Sequence, residues 1–190
     1  FGREEQKSPE FLKINPNGRI PVLVDHDADD FVIIESGAIL QYLAEKHEIF
    51  SPSDLKGKSE VNQWLMWQMG GLGPMFGQLL VFAAAFENKI PEATERYATE
   101  TKRLLSVLNA RLEGREFLTN AYSIADIAAI AWMPPTQRLG WDLAEWPNVK
   151  AWFDRCTSRP AFAKAVEALG TIPEDVRMTN FRKATVGLGS

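Results

Sequence analysis

Two short apolar runs separated by an acidic turn stand ahead of a long stretch with helical periodicity. Ile20-Pro21-Val22-Leu23-Val24 reads as a strand entered through a proline, which has no N–H to give to a ladder. After His26-Asp27-Ala28-Asp29-Asp30, the run Phe31-Val32-Ile33-Ile34 reads as a second strand leading straight into Glu35-Ser36 at the head of an amphipathic helix. Phe50-Ser51-Pro52-Ser53-Asp54 breaks that helix and reads as a linker. From about Lys58 onward no further strand is expected. Val61, Trp64, Leu65 and Gln68 fall at helical spacing, and Leu104, Leu105, Leu108 and Leu112 form a second stripe.

Local signals sharpen the helical part. Ser123-Ile124-Ala125-Asp126 has the form of a capping box, with Tyr122 and Ile127 placed as its hydrophobic staple. The apolar run Ile127-Ala128-Ala129-Ile130-Ala131-Trp132 that follows suits a helix buried on all sides, ended by Pro134-Pro135. Gly70-Gly71-Leu72-Gly73-Pro74 lacks the spacing, the preceding strand and the Lys-Ser/Thr ending of a phosphate loop. It predicts a helix bent at Pro74, with glycines that allow close backbone approach. Gly170 to Ser190 reads as an extended or disordered tail.

Composition narrows the class. The 190 residues are 45% hydrophobic, enough for a substantial core, and carry a net charge of -4 without a basic stripe. Nucleic acid is therefore not an expected partner. No apolar run is long enough to span a bilayer and no signal peptide is recognisable, so no membrane association is expected. A single cysteine, Cys156, excludes an internal disulfide and a Cys-x-x-Cys pair, and the simplest setting is a reducing cytoplasm. Cys156 follows Trp152-Phe153 on an amphipathic pattern and reads as a small core residue. His26 and His47 lie in unrelated contexts, and no metal site is expected. Asp25, Asp27, Asp29 and Asp30 crowd a turn and read as solvated carboxylates.

The chemistry suggested by the first part is recognition of a short extended peptide. An X-Pro bond at a sheet edge favours a cis peptide, which turns the preceding N–H and C=O outward. Ser36 and the free N–H groups of the helix it opens offer a carboxylate a hydroxyl, amide donors and a positive dipole end. From the motif alone the simpler reading prevails: Ser36 is a plain helix N-cap and Glu35 an exposed charge.

The stretch Pro9-Glu10-Phe11-Leu12-Lys13-Ile14-Asn15-Pro16-Asn17-Gly18-Arg19-Ile20-Pro21 resembles the corresponding segment of cytosolic glutathione transferases, as does Glu35-Ser36-Gly37-Ala38-Ile39-Leu40-Gln41-Tyr42-Leu43-Ala44. Trp64-Leu65-Met66-Trp67-Gln68-Met69-Gly70-Gly71-Leu72-Gly73-Pro74-Met75 and Glu95-Arg96-Tyr97 narrow the likeness to the bacterial Nu class and the fungal nitrogen-regulator-like branch.

The resemblance implies a thioredoxin-like α/β domain, incomplete here, packed on an all-helical domain. The expected division is 1–48 for the glutathione-binding part, 49–57 for a linker, 58–170 for the helical domain and 171–190 for a tail. It also implies a β-α-β unit ahead of Phe1 that holds the sulfur-polarising residues, so no catalytic residue is named. Glutathione is the implied co-substrate. Its cysteinyl backbone would be held at Ile20 beside Pro21, its γ-glutamyl end at Glu35 and Ser36, and its glycyl end by Gln6. Arg96 would reach toward its carboxylates and Arg19 would stand at the rim. Apart from the resemblance, Trp64, Trp67, Phe76 and Phe82 fall mostly at helical core spacing, and packing is their default reading, with a contribution to an electrophile pocket as the alternative. The implied activity is glutathione-dependent disulfide reduction, conjugation to small electrophiles, or both, in a homodimer. The rival reading is a non-catalytic glutathione-binding regulatory module.

Overall fold

The apolar runs pair as expected. In the computed structural model, which describes residues 5–170 and 179–181, β1 (Val22–Asp25) and β2 (Phe31–Ile34) form an antiparallel two-stranded sheet with Val22 opposite Ile34 and Asp25 opposite Phe31. Pro21 stands just ahead of β1, where its missing N–H costs no ladder bond. The connecting turn is a 3₁₀ turn, His26–Ala28, followed by Asp29 and Asp30 at positive φ, a conformation Asp tolerates better than most residues. A short helix, α1 (Pro9–Ile14), precedes the sheet, capped by the Ser8 hydroxyl, which accepts from the Phe11 N–H at 3.2 Å. Helix α2 (Ser36–His47) follows β2 directly.

Asp25 is a correction to the sequence reading. It is 8% exposed, and its Oδ2 accepts from the Tyr42 hydroxyl at 2.6 Å and the Lys46 ammonium at 2.5 Å. The bond from Lys46 and then that from Tyr42 hold its carboxyl down at about 2. Residues 42 and 46 share one face of α2, so the turn and the helix are fastened at this carboxylate. Asp27, Asp29 and Asp30 are exposed.

The helical part comprises α3 (Leu55–Trp67), α4 (Gly73–Leu80), α5 (Pro91–Arg111), α6 (Ile124–Ile130), α7 (Pro135–Arg138), α8 (Pro147–Thr157) and α9 (Pro160–Leu169). Asp54 ends the linker and caps α3, accepting from the Gly57 N–H at 2.9 Å. The bend expected at Pro74 takes the form of a π turn, Gln68–Leu72, in which the Gly73 N–H bonds back to the Gln68 carbonyl. Proline has no N–H to give and its ring crowds the carbonyl four residues earlier; an inserted residue relieves both. Of the three glycines only Gly73 is held in a tight approach: a Cβ there would lie 2.6 Å from Gln68 Nε2, whereas Gly70 faces open space and Gly71 has ordinary room.

The core gathers between α3, α4, α5, α6 and α8, where Leu65, Leu72, Phe76, Leu105, Leu108, Leu118, Met133, Val149 and Trp152 are fully buried. The Leu104–Leu112 stripe lies wholly inside it. The capping box forms around Asp126, whose Oδ2 accepts from the Ser123 N–H at 2.9 Å and hydroxyl at 3.1 Å. Its Oδ1 accepts from the Leu118 N–H at 2.9 Å and the Trp152 indole at 2.8 Å. Burial pushes this carboxyl up, while the bonds it accepts pull it down. Tyr122 packs its ring against Phe50, Phe117 and the Arg159 guanidinium. Cys156 is fully buried, and burial drives its thiol up to about 12. The tail expected over 171–190 falls outside the described residues, except for a helical turn at 179–181.

Candidate functional site

A cleft of about 510 Å³ opens where the N-terminus of α2 meets the helical part. Pro21, Ser36, Ile39 and Leu40 form one wall; Gln68, Met69, Gly73 and Pro74 form a second; Ile127, Ala128, Ala131 and Trp132 close it. The volume suits a small organic ligand. The α2 N-terminus is seated on the π turn through Met69. A Cβ on Gly37 would lie 3.2 Å from the Met69 side chain, so glycine permits the approach. The Ser36 hydroxyl reaches Met69 Sδ at 3.8 Å.

The segment leading to the cleft is built by asparagine side chains. Asn15, 1% exposed, donates from Nδ2 to the Arg19 carbonyl at 2.7 Å and accepts the Asn17 N–H on Oδ1 at 3.0 Å. Asn17 in turn donates to Glu35 Oε1 at 3.3 Å. Gly18, at φ 61°, closes the loop: a Cβ would lie 2.8 Å from Lys7 Nζ. The Ile20–Pro21 bond is cis, as expected, and Ile20 is 54% exposed at the loop's end. Asn15 and Asn17 were visible within the motif, but their roles need the loop to be folded.

Glu35, rather than Ser36, occupies the N-cap of α2, with φ 69° and ψ 120° and no side-chain cap bond. A non-glycine residue in that region costs about 1–3 kcal/mol and persists where its surroundings enforce it, often beside a ligand. Ser36 is the first helical residue and is exposed. This end of the twelve-residue helix thus carries no side-chain cap bond from its N-cap residue, and its first residue, Ser36, lines the cleft.

Pro21 and Ser36 of the expected set line the cleft itself, with Ile20 and Glu35 adjoining them in the chain. Arg19 is exposed beside Ile20, and Gln6 lies in the 3₁₀ turn Glu5–Lys7, its carbonyl packed toward Gly18. Arg96 is exposed on α5 and is not a wall residue; its charge acts on Glu100, which Arg103 binds at 2.9 and 2.7 Å.

None of the four aromatics weighed for an electrophile pocket lines this cleft; they pack within the protein, which is their default reading. Trp64 and Trp67 pack on each other at 5.2 Å, Phe76 is fully buried, and Phe82 stacks on Phe86 and Tyr97. The aromatic wall is Trp132. This revises the view of 127–132 as buried on all sides, because α6 ends at Ile130 and the Ile127, Ala131 and Trp132 side faces the cleft. Among the described residues no His, Cys, Asp and Glu are gathered as a metal would require. No helix among them is long and apolar enough to cross a membrane.

This α/β layer on a helical core, with a cleft at their junction, has known relatives. Residues 1–45 match Glutathione S-transferase, N-terminal domain, and residues 72–160 match Glutathione S-transferase, C-terminal domain. The chain belongs to the glutathione S-transferase family. It is 48% identical over 171 residues to Disulfide-bond oxidoreductase YfcG of Escherichia coli, across 87% of this chain and 80% of that protein. It is 35% identical over 206 residues to Transcriptional regulator URE2 of Saccharomyces cerevisiae, across 87% of this chain and 58% of the regulator. A glutathione transferase from Burkholderia graminis, with two glutathione molecules bound per subunit, superposes with a TM-score of 0.82 at 39% identity, over 90% of this chain and 76% of that one. These relatives bear out the bacterial and fungal branch expected from the sequence.

Proposed function

We propose that this protein binds glutathione along the Ile20–Glu35 rim of the cleft and uses its thiol to reduce disulfides and to attack small electrophiles. The observation that carries the reading is the cleft, with an exposed backbone segment and an open helix N-terminus on one side and an apolar wall on the other. Glutathione is an extended peptide with carboxylates at its two ends. In this reading the Ile20 backbone beside Pro21 holds the cysteinyl unit, and Glu35, Ser36 and the α2 N–H groups hold the γ-glutamyl end. Gln6 contacts the glycyl end, Arg96 reaches the carboxylates from α5, and Arg19 closes the rim.

The thiolate is the reacting species, so a bound donor that lowers the thiol pKa speeds both reactions. In disulfide reduction, the thiolate attacks one sulfur of R–S–S–R, releasing R–S⁻ and forming a mixed disulfide. A second glutathione thiolate then displaces the other R–S⁻ and leaves glutathione disulfide. Two glutathiones are oxidised and one disulfide becomes two thiols. The protein needs no dithiol of its own, in keeping with its single buried cysteine. Conjugation instead forms a C–S bond and expels the leaving group. A homodimer in the cytoplasm, where glutathione is kept reduced, is the proposed working state.

Calorimetry with glutathione and glutathione disulfide on the protein, followed by turnover of a model disulfide and an electrophile, tests this. Binding with turnover supports the reading. Binding without turnover of either substrate would favour a regulatory module, and no binding would remove the site assignment.

A further inference from the structure

We propose that the Gln68 carboxamide selects the second substrate, favouring one that carries hydrogen-bonding groups over a wholly apolar one. This rests on the glutathione reading of the cleft and adds to it what the facing wall recognises.

Gln68 opens the π turn and is 4% exposed, yet it lines the cleft. Its Oε1 is buried with no hydrogen-bond partner among the described residues. Its Nε2 lies 2.6 Å from the position a Gly73 Cβ would take, and the Trp132 indole Nε1 lies 3.1 Å from the same point. Two N–H-bearing groups thus converge over the bare face of Gly73, and all three residues are part of the cleft wall. The surroundings are carbon and thioether: Ile39, Leu40, Met69, Pro74 and Ile127.

A buried carboxamide without a partner is destabilising, and a leucine or methionine would fill the same space without that cost. The conflict is relieved when a ligand supplies the missing bonds, and such local conflicts are expected at functional positions. The terminal torsion of glutamine is soft, so the carboxamide can turn either its oxygen or its nitrogen to the cleft. An S-substituent bearing an amide offers both complements, with the indole as an additional donor. A plain alkyl group offers neither.

The test compares affinities of the wild-type protein and Gln68→Met for glutathione, S-hexylglutathione and S-(carbamoylmethyl)glutathione by calorimetry, so it does not require turnover. The substitution should weaken the carbamoylmethyl ligand about ten-fold or more, while glutathione is unchanged and the hexyl ligand is unchanged or tighter. The thermal midpoint should hold or rise, because an unpaired polar group has been removed. Gly73→Ala, which forces Gln68 Nε2 to move, should lose the same discrimination with the carboxamide retained. Parallel changes for both S-substituted ligands, or no change, with glutathione still bound would overturn the assignment of Gln68 alone. So would a marked fall in the midpoint of Gln68→Met, which would mean the carboxamide is satisfied within the protein. Failure of the wild-type protein to bind glutathione would overturn the glutathione reading, and this one with it.

Discussion

Ser36 stands exposed at the first position of α2, and among the described residues its hydroxyl has only the thioether of Met69 as a hydrogen-bond partner. A side chain so placed contributes little to the unliganded fold, so its removal should be felt in binding. Ser36→Ala is expected to weaken glutathione by about 1.5–3 kcal/mol, the range for a hydrogen bond to a charged group. Calorimetry measures the loss, and an unchanged thermal midpoint would separate it from a folding defect. Asp25 behaves oppositely, as a structural carboxylate held at about 2 against an ordinary 3.8 by Lys46 and Tyr42. Because the folded state binds this proton less readily than the unfolded chain, its stabilising contribution is complete above about pH 5 and is lost as pH falls toward 2. The difference in unfolding free energy between the wild-type protein and Asp25→Asn should therefore shrink across that window in denaturant titrations. The sequence reading made Asp25 one of four solvated acids, because Tyr42 and Lys46 approach it only once α2 is laid against the turn.

Helix α6 shows how much of an element local sequence can specify. Its capping box was readable because the Ser123 and Asp126 partners are three residues apart. The other half of Asp126's role, joining Leu118 and Trp152, involves partners eight and twenty-six residues away, and no local pattern announces it. Asp126→Ala would leave the Leu118 and Ser123 N–H groups and the Trp152 indole without acceptors, so a loss of about 3 kcal/mol or more in unfolding free energy is expected. Chemical denaturation measures it. Helix α8 presents Cys156 to the core, where burial holds the thiol at about 12. Maleimide at pH 8 should label it only as fast as the protein opens, and Cys156→Ser should leave disulfide reduction intact. Fast labelling of the native protein would contradict its burial.

At the scale of the molecule, the cleft exists because α2 is seated on the π turn through Gly37 and Met69 while Ile127 of α6 and Trp132 of the turn after it line the same space. A ligand that bridges these walls binds only the folded state. Glutathione at a hundred times its dissociation constant should therefore raise stability by about 2.7 kcal/mol, seen as a concentration-dependent rise in thermal midpoint. A flat midpoint would argue against binding between the walls.

What the sequence determined by itself was whatever depends on neighbours along the chain. The strand pair, the linker, the helical stripes and the capping box are short-range patterns in which periodicity, turn chemistry and capping agree. The motifs around Ile20-Pro21 and Glu35-Ser36 identified the family for the same reason, being contiguous. The tertiary structure alone decided which side chains line the cleft. Trp132 and Gln68 carry the same helical spacing as the core residues around them, and periodicity cannot distinguish a face turned to a cleft from one turned to the interior. That choice follows from where α2, α4 and α6 meet, which is set by the packing of the whole chain.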